Sequence, residues 1–202
     1  RDPNGVHHGV DLLAVPETPV YACVPSRVIR VERGNDQHTY GVIIVLEALN
    51  PNFVRTRRKS NFVPTYPNGA PGVSLVRELT EGPGFNDQGS FYFKYGHLLT
   101  SFVKEGDVVT NITKAIGLTG TTGYSGGRDP HLHFEIHSAP QPTGLNNRVN
   151  PGFYVTYKTA AEQSEQERAY QLEVKQTVWR AYPGQDQYSH YPASGISGGY
   201  QP

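Results

Sequence analysis

A mostly β chain built on an antiparallel sheet is predicted by composition, by punctuation and by alternation. Glycine and proline number 22 and 16 of 202 residues, above the average share of about 12% for the two together, which favours short strands and turns over a helical bundle. β-type runs at Val20–Val24, Arg27–Glu32, Gly41–Glu47, Ser90–His97 and Pro130–His137 are separated by turn-forming clusters such as Gly34-Asn35-Asp36 and Asn68-Gly69-Ala70-Pro71-Gly72. In the last run Leu132, Phe134 and Ile136 alternate with His131, His133 and Glu135, so the apolar set faces a core and the polar set shares the other face.

In chain order, the opening segment His7-His8-Gly9-Val10-Asp11 brings polar groups close together before the first apolar run. Cys23 lies within Val20–Val24 and is read as a buried core residue. As the single cysteine it forms no internal disulfide and leaves the redox compartment unread. Between about 48 and 89 an insertion, expected to tune substrate choice rather than chemistry, carries Arg55-Thr56-Arg57-Arg58-Lys59, read as a solvated basic surface with a grip on an anionic wall polymer as the alternative, and a periodic stretch Val73–Leu79 that suits one or two helical turns. Along Phe91–His97, residues 91, 93, 95 and 97 share a face by simple alternation, so His97 ends an aromatic stripe, with Gly96 permitting close approach.

The later part adds Val103-Lys104-Glu105-Gly106-Asp107-Val108-Val109, a glycine-rich stretch from Ile116 to Gly127, and Pro130-His131-Leu132-His133-Phe134-Glu135. From Lys158 the residues favour helix, with Tyr170, Val174 and Val178 at i, i+4, i+8 as a narrow apolar stripe. After Tyr182 the chain is Tyr, Gly, Ser, Pro and Gln with almost no aliphatics, the composition of a disordered or partner-ordered tail. Zero net charge gives no reason to expect nucleic-acid binding. No apolar run is long enough to span a membrane and there is no signal-peptide pattern. Without a methionine, the chain is expected to come from a processed precursor or a larger protein.

Histidines and an aspartate scattered over these elements have the make-up of a catalytic zinc site, which takes three protein ligands and leaves a fourth position to water. The motifs His7-x-x-x-Asp11 with Leu12–Pro16 and Pro19–Ala22, Tyr95-Gly96-His97-Leu98, and Gly120-x-Thr122-Gly123-x-Ser125 leading to His131-Leu132-His133-Phe134-Glu135 resemble the lysostaphin-type (LytM-like) zinc endopeptidases of bacterial peptidoglycan. The resemblance covers roughly residues 1–157 in family order, apart from the insertion.

The resemblance implies a LytM-like, duplicated-hybrid-type β domain over 1–157 with a groove holding one Zn2+, to which composition and periodicity add a helical extension over 158–181 and a disordered or partner-ordered tail over 182–202. It implies His7, Asp11 and His133 as metal ligands, and His97 and His131 as catalytic histidines, one acting on the water's proton and the other on the oxyanion or leaving amine. The expected activity is hydrolysis of cross-bridge or stem peptides through a zinc-activated water. The alternative is an inactive scaffold or wall-binding module in a phage or envelope assembly. Peptidoglycan peptide is the expected partner, with a protein partner for the C-terminal helix and tail. The expected location is extracellular, periplasmic, at the envelope or in a virion.

Among other residues, the family's His-x-Gly-x-Asp pattern selects His7 over His8, and Glu135 is a candidate to orient a histidine. His137 lies about 13 Å beyond His133 along an extended strand, too far to join the ligands. His38 and His190 are read as surface residues. Arg128-Asp129 lengthens the loop before His131 relative to the family. A lipoyl- or biotinyl-type carrier, considered because of Glu105–Val109 and Ile116-Gly117, lacks a suitable setting for Lys114.

Overall fold

The computed structural model describes residues 6–14, 16–34, 40–63, 77–123, 131–156, 164–166 and 169. In chain order the strands are β1 (Val6–His7), β2 (Val10–Leu13), β3 (Pro19–Tyr21), β4 (Ser26–Arg33) and β5 (Val42–Ala48). A short helix α1 (Pro51–Arg55) precedes β6 (Arg77–Glu78), β7 (Tyr92–Ser101), β8 (Val108–Val109), β9 (Ala115–Thr119), β10 (His131–His137) and β11 (Arg148–Val149), and a 3-10 turn spans Pro151–Phe153. The described chain is therefore mostly β, as expected. The helix expected over 158–181 and the tail over 182–202 lie outside the described residues, apart from the exposed residues 164–166 and 169.

One antiparallel sheet dominates, with the path β11-β10-β7-β5-β4-β8; β2 adds to β10, and β9 joins β7 to β3. Its apolar face is built from Val10, Val28, Ile44, Leu46, Phe93, Tyr95, Phe134 and Ile136, all buried together. Alternation explains this selection: Phe134 stands opposite Tyr95, and Ile136 opposite Phe93, in the β10–β7 register. The intervening pair Glu135 and Lys94 is thereby turned to the other face.

At its end β7 departs from strict alternation. Val42 pairs with Leu98 but Ile44 pairs with Tyr95, so Gly96 and His97 together oppose one residue of β5. His97 takes a left-handed φ of 59°, and the bulge swings its ring off the aromatic face. The reading of His97 as the end of the Phe91–Phe93–Tyr95 stripe is thus corrected: those three rings pack in the core, whereas His97 joins the opposite, polar face. A side chain at Gly96 would meet His133 Cβ at an ordinary 3.5 Å, so the bulge rather than the missing Cβ does the local work.

The insertion also differs from expectation. Asn50 caps α1 through its side chain, which accepts from the Phe53 N–H, and Pro51 opens the first turn. The basic run that follows is only partly solvated: Arg57 is exposed, whereas Arg55, Arg58 and Lys59 are half-buried. Arg55 Nε donates to the Asp87 carbonyl at 2.6 Å, and Arg58 pairs with Glu81 at 2.6 Å and donates to the Tyr154 hydroxyl at 3.0 Å. Lys59 Nζ donates to the Val155 carbonyl at 2.6 Å, while Arg57 lies over the Phe53 ring. The bonds to Tyr154 and Val155 fasten the insertion to the segment after β11, and those to Asp87 and Glu81 tie it to itself.

Instead of completing a helical turn, Arg77–Glu78 pairs as a parallel strand with β1; residues 73–76 lie outside the described set. Cys23 is exposed rather than buried, and the Tyr95 hydroxyl donates to its sulfur at 3.4 Å. Lys114 sits in an exposed turn between β8 and β9, which pair with other strands and not with each other, so the hairpin of a carrier domain is absent there.

Candidate metal and active site

The polar face of β10 gathers all five residues singled out from the sequence. His131 and His133 stand two apart on that strand, and β2 runs antiparallel beside it with Asp11 directly opposite His133. Two directly opposed residues share a face, and His133 Nδ1 lies 2.9 Å from Asp11 Oδ1. His7 reaches the same oxygen from β1, its Nε2 3.2 Å away, and His131 Nε2 is 3.6 Å away.

That convergence depends on the turn joining β1 to β2. A Cβ at Gly9 would lie 2.1 Å from the Phe134 carbonyl oxygen and 2.9 Å from Glu135 Cγ. Only glycine lets the chain pass so close to β10.

Ligand atoms of His7, Asp11 and His133 all lie within 4.8 Å of one another. The His7 and His133 rings meet edge-on with centroids 4.9 Å apart, while His97 meets His131 at 4.6 Å and His133 at 5.9 Å. His97 Nδ1 is 2.9 Å from the Thr122 carbonyl. A carbonyl only accepts, so Nδ1 carries the proton and Nε2 keeps its lone pair. Burial, helped by the nearby His131 and His133, pushes the His97 pKa down to about 3, so this ring is neutral at physiological pH.

Opposing forces act on the charged groups. Burial disfavours the Asp11 carboxylate, yet His7, His131 and the hydrogen bond to His133 hold its pKa well below the usual range. Burial also opposes charge on His133, but Asp11 and Glu135 outweigh it and raise its pKa. Without a metal, the two carboxylates thus favour a second proton on this ring more than water does. His7, Asp11 and His133 would hold a divalent ion with two nitrogens and one carboxylate oxygen, a donor set that would suit zinc with a fourth position open.

Glu135 is fully buried. Its Oε1 accepts from His133 Nε2 at 2.8 Å and Lys94 Nζ at 3.2 Å; its Oε2 lies 2.7 Å from His137 Nε2 and 3.0 Å from Arg148 Nε. His137 is therefore bound to Glu135 and stands apart from the three-residue cluster. His8 is likewise no part of that cluster: its Nδ1 meets the Tyr40 hydroxyl at 2.9 Å, and burial, then Arg148, pushes its pKa down to about 3. His38, His190 and Arg128 lie outside the described residues.

Tyr40, Lys94, Thr122, His137 and Arg148 had no assigned role from sequence. Tyr40 roofs Lys94, whose Nζ is 3.1 Å from the ring centroid, and lies 5.0 Å from the His133 ring. Burial, partly offset by Glu135, draws the Lys94 pKa down to about 8. Alternation between Phe93 and Tyr95 does carry a signal for Lys94, because it puts that side chain on the face shared with Glu135. Nothing local to Tyr40 or Arg148 carries one, since their places follow from chain crossings far apart in sequence.

No protein-family model matches the sequence, and no curated protein matches it. Among solved structures, the chain is similar to the catalytic domain of the prophage-encoded M23 protein EnpA from Enterococcus faecalis, with 20% identity, 74% of this chain and 79% of that one covered, and a TM-score of 0.44. It is similar to the catalytic domain of the antimicrobial peptidase lysostaphin from Staphylococcus simulans at 23% identity, covering 72% and 76%, with a TM-score of 0.44. LytU gives 20% identity, 72% and 69% coverage and a TM-score of 0.45. These are proteins of the type named by the sequence resemblance.

Proposed function

We propose that this chain is a zinc metalloendopeptidase that hydrolyses peptide bonds in bacterial cell-wall peptidoglycan, with one zinc per chain held by His7, Asp11 and His133. The carrying observation is the convergence of their ligand atoms within 4.8 Å, flanked by the paired rings of His97 and His131. When bound, zinc polarises the scissile carbonyl and lowers the pKa of water from about 15.7 to about 7.

The chain's own residues then divide the proton work. His97, with Nδ1–H given to the Thr122 carbonyl, offers Nε2 as the acceptor for the proton of the attacking water. His131, at ring contact with His97, would then donate to the oxyanion or the leaving amine, a role its place beside His97 supports. Asp11 contributes a fixed negative charge, and Glu135 takes the outer nitrogen of His133. Peptidoglycan as substrate is supported by the motifs shared with lysostaphin-type enzymes, and that substrate puts the protein at the envelope, outside the cell or in a virion.

Zinc stoichiometry, combined with digestion of purified sacculi of several cross-link types and mass spectrometry of the released ends, tests the proposal. One zinc per chain and new peptide termini are expected. Full activity after complete metal removal overturns it, and bound zinc with no new termini from any sacculus points instead to a scaffold or wall-binding module.

A further inference from the structure

Glu135 lies on the far side of His133 from Asp11, and its surroundings are unlike those of any other described carboxylate. It is fully buried, with His133 and Lys94 on Oε1 and His137 and Arg148 on Oε2. Lys94 and Arg148 are cations, one more than a single carboxylate needs. Each is itself held in place. Lys94 stands directly opposite Glu135 in the β10–β7 register and is covered by the Tyr40 ring, which is tied to His8. Arg148 stands opposite His137 in the β10–β11 register and also donates through Nη1 to the Gly144 carbonyl at 2.7 Å. The carboxylate is therefore pinned from both neighbouring strands.

A neutral imidazole has one N–H and one lone pair, and here two carboxylates compete for that single proton. Asp11 lies 2.9 Å from Nδ1 and Glu135 2.8 Å from Nε2. The contest is unequal. Asp11 Oδ1 is shared among three imidazoles, whereas Glu135 is fixed in place with its Oε1 toward His133. A metal held by His7, Asp11 and His133 requires the lone pair on Nδ1, hence the proton on Nε2.

We propose that Glu135, clamped by Lys94 and Arg148, is the positioning residue of the metal centre: it takes the Nε2 proton of His133 and fixes the tautomer and ring plane that leave Nδ1 for the metal. The inference rests on the zinc-site reading and adds to it a device that sets the geometry before any metal arrives. Such outer partners of metal-bound histidine commonly change affinity 10–100-fold when removed.

The test uses the full chain with 15N-labelled histidine. In metal-free wild-type protein brought upward in pH until the His133 ring nitrogens report loss of one proton, long-range proton–nitrogen correlation should show the remaining proton at Nε2. Glu135→Gln should scramble that preference and weaken zinc binding about 10–100-fold in competition with a chromophoric chelator. Lys94→Gln keeps hydrogen-bonding reach while removing one cation, and it should give the same changes in smaller measure.

An Nδ1-protonated His133 in the wild type overturns the proposal, and this measurement needs no variant to fold. It is equally overturned if both variants lower the metal-free melting temperature yet bind zinc as the wild type does with an unchanged His133 tautomer, the pattern of a purely structural charge cluster. A wild type that binds no zinc but keeps the Nε2 proton, and loses it in Glu135→Gln, sinks the zinc reading while sustaining the positioning role of Glu135.

Discussion

His133 and His131 are two residues apart on one strand face, yet their surroundings give them different work. His133 is 2.9 Å from Asp11 Oδ1, whereas His131 is 3.6 Å from it and packs on His97 instead. His133→Ala should therefore lose zinc and activity together. His131→Ala and His97→Ala should keep zinc and lose kcat by on the order of 10²–10⁴-fold, with the double variant less than additive if both rings act on one step. Metal analysis beside steady-state kinetics checks this, and zinc lost by the His131 variant but kept by the His133 variant would reverse the roles. Because Asp11 and Glu135 raise the His133 pKa, protons should compete with zinc at that ring already above the ordinary value of about 6.5. Zinc affinity should fall as pH drops through that raised value, with one proton released from His133 per zinc bound. Calorimetry in buffers of differing ionisation enthalpy measures that proton. At this scale the five proposed site residues come from the order of the family-like motifs, while a period of two adds that His131 and His133 share a strand face. The exception is His97, whose identity the motif gave but whose face it did not: a bulge, set by the crossing of β7 and β5, rotates it by one position.

The elements show where local pattern runs out. Alternation found the core faces of β7 and β10, because both strands lie between partners and their two faces differ sharply. It did not find β1 and β6, two residues each, since so short a pairing has no period to read. Nor did it find the use of Arg58. A run of basic residues looks solvated until its acceptors are known, and here those acceptors come from Glu81, Asp87 and Tyr154. Arg58→Ala should accordingly act on stability rather than substrate binding. The ion pair is partly exposed and worth at most about 1 kcal/mol, and the lost bond to Tyr154 adds about 1 kcal/mol more. A lowered melting temperature with unchanged zinc affinity and unchanged hydrolysis of a short peptide is expected. Weakened binding to intact sacculi with unaltered stability would show instead that the arginine serves the substrate. Gly9→Ala sits at the other extreme: its Cβ would enter the backbone of β10, so displacement of β1 should cost zinc affinity even where the sheet survives.

For the whole molecule, metal and pH bear on one face of a sheet whose other face is a continuous apolar core. Metal removal should therefore leave a folded protein that is easier to unfold: at free zinc 1,000 times the dissociation constant, binding contributes about 4.1 kcal/mol. Acid should then weaken the metal-free form further. His8 and His97 have folded pKa values near 3, and that of His137 is also lowered, all chiefly by burial. Between about 3 and 6.5 the unfolded chain binds protons at His8 and His97 that the folded chain does not, so stability rises with pH there and falls as acid is added. Each ring contributes at most about 1.4 kcal/mol per pH unit. His133 works the other way: its raised pKa gives a contribution fully present below about 6.5 and lost as pH climbs through the folded value. Below 6.5 it is protonated in both states and adds no slope. Lower still, Asp11 and Glu135, held well below the usual carboxylate range, steepen the loss as their unfolded counterparts take up protons near pH 4. Urea midpoints of metal-free protein at pH 7, 6, 5 and 4 should thus decline step by step, and His97→Gln should remove one ring's share of the slope. A flat profile from 6.5 to 4 would mean that these rings are hydrated in solution, and with them the face on which the metal site is built.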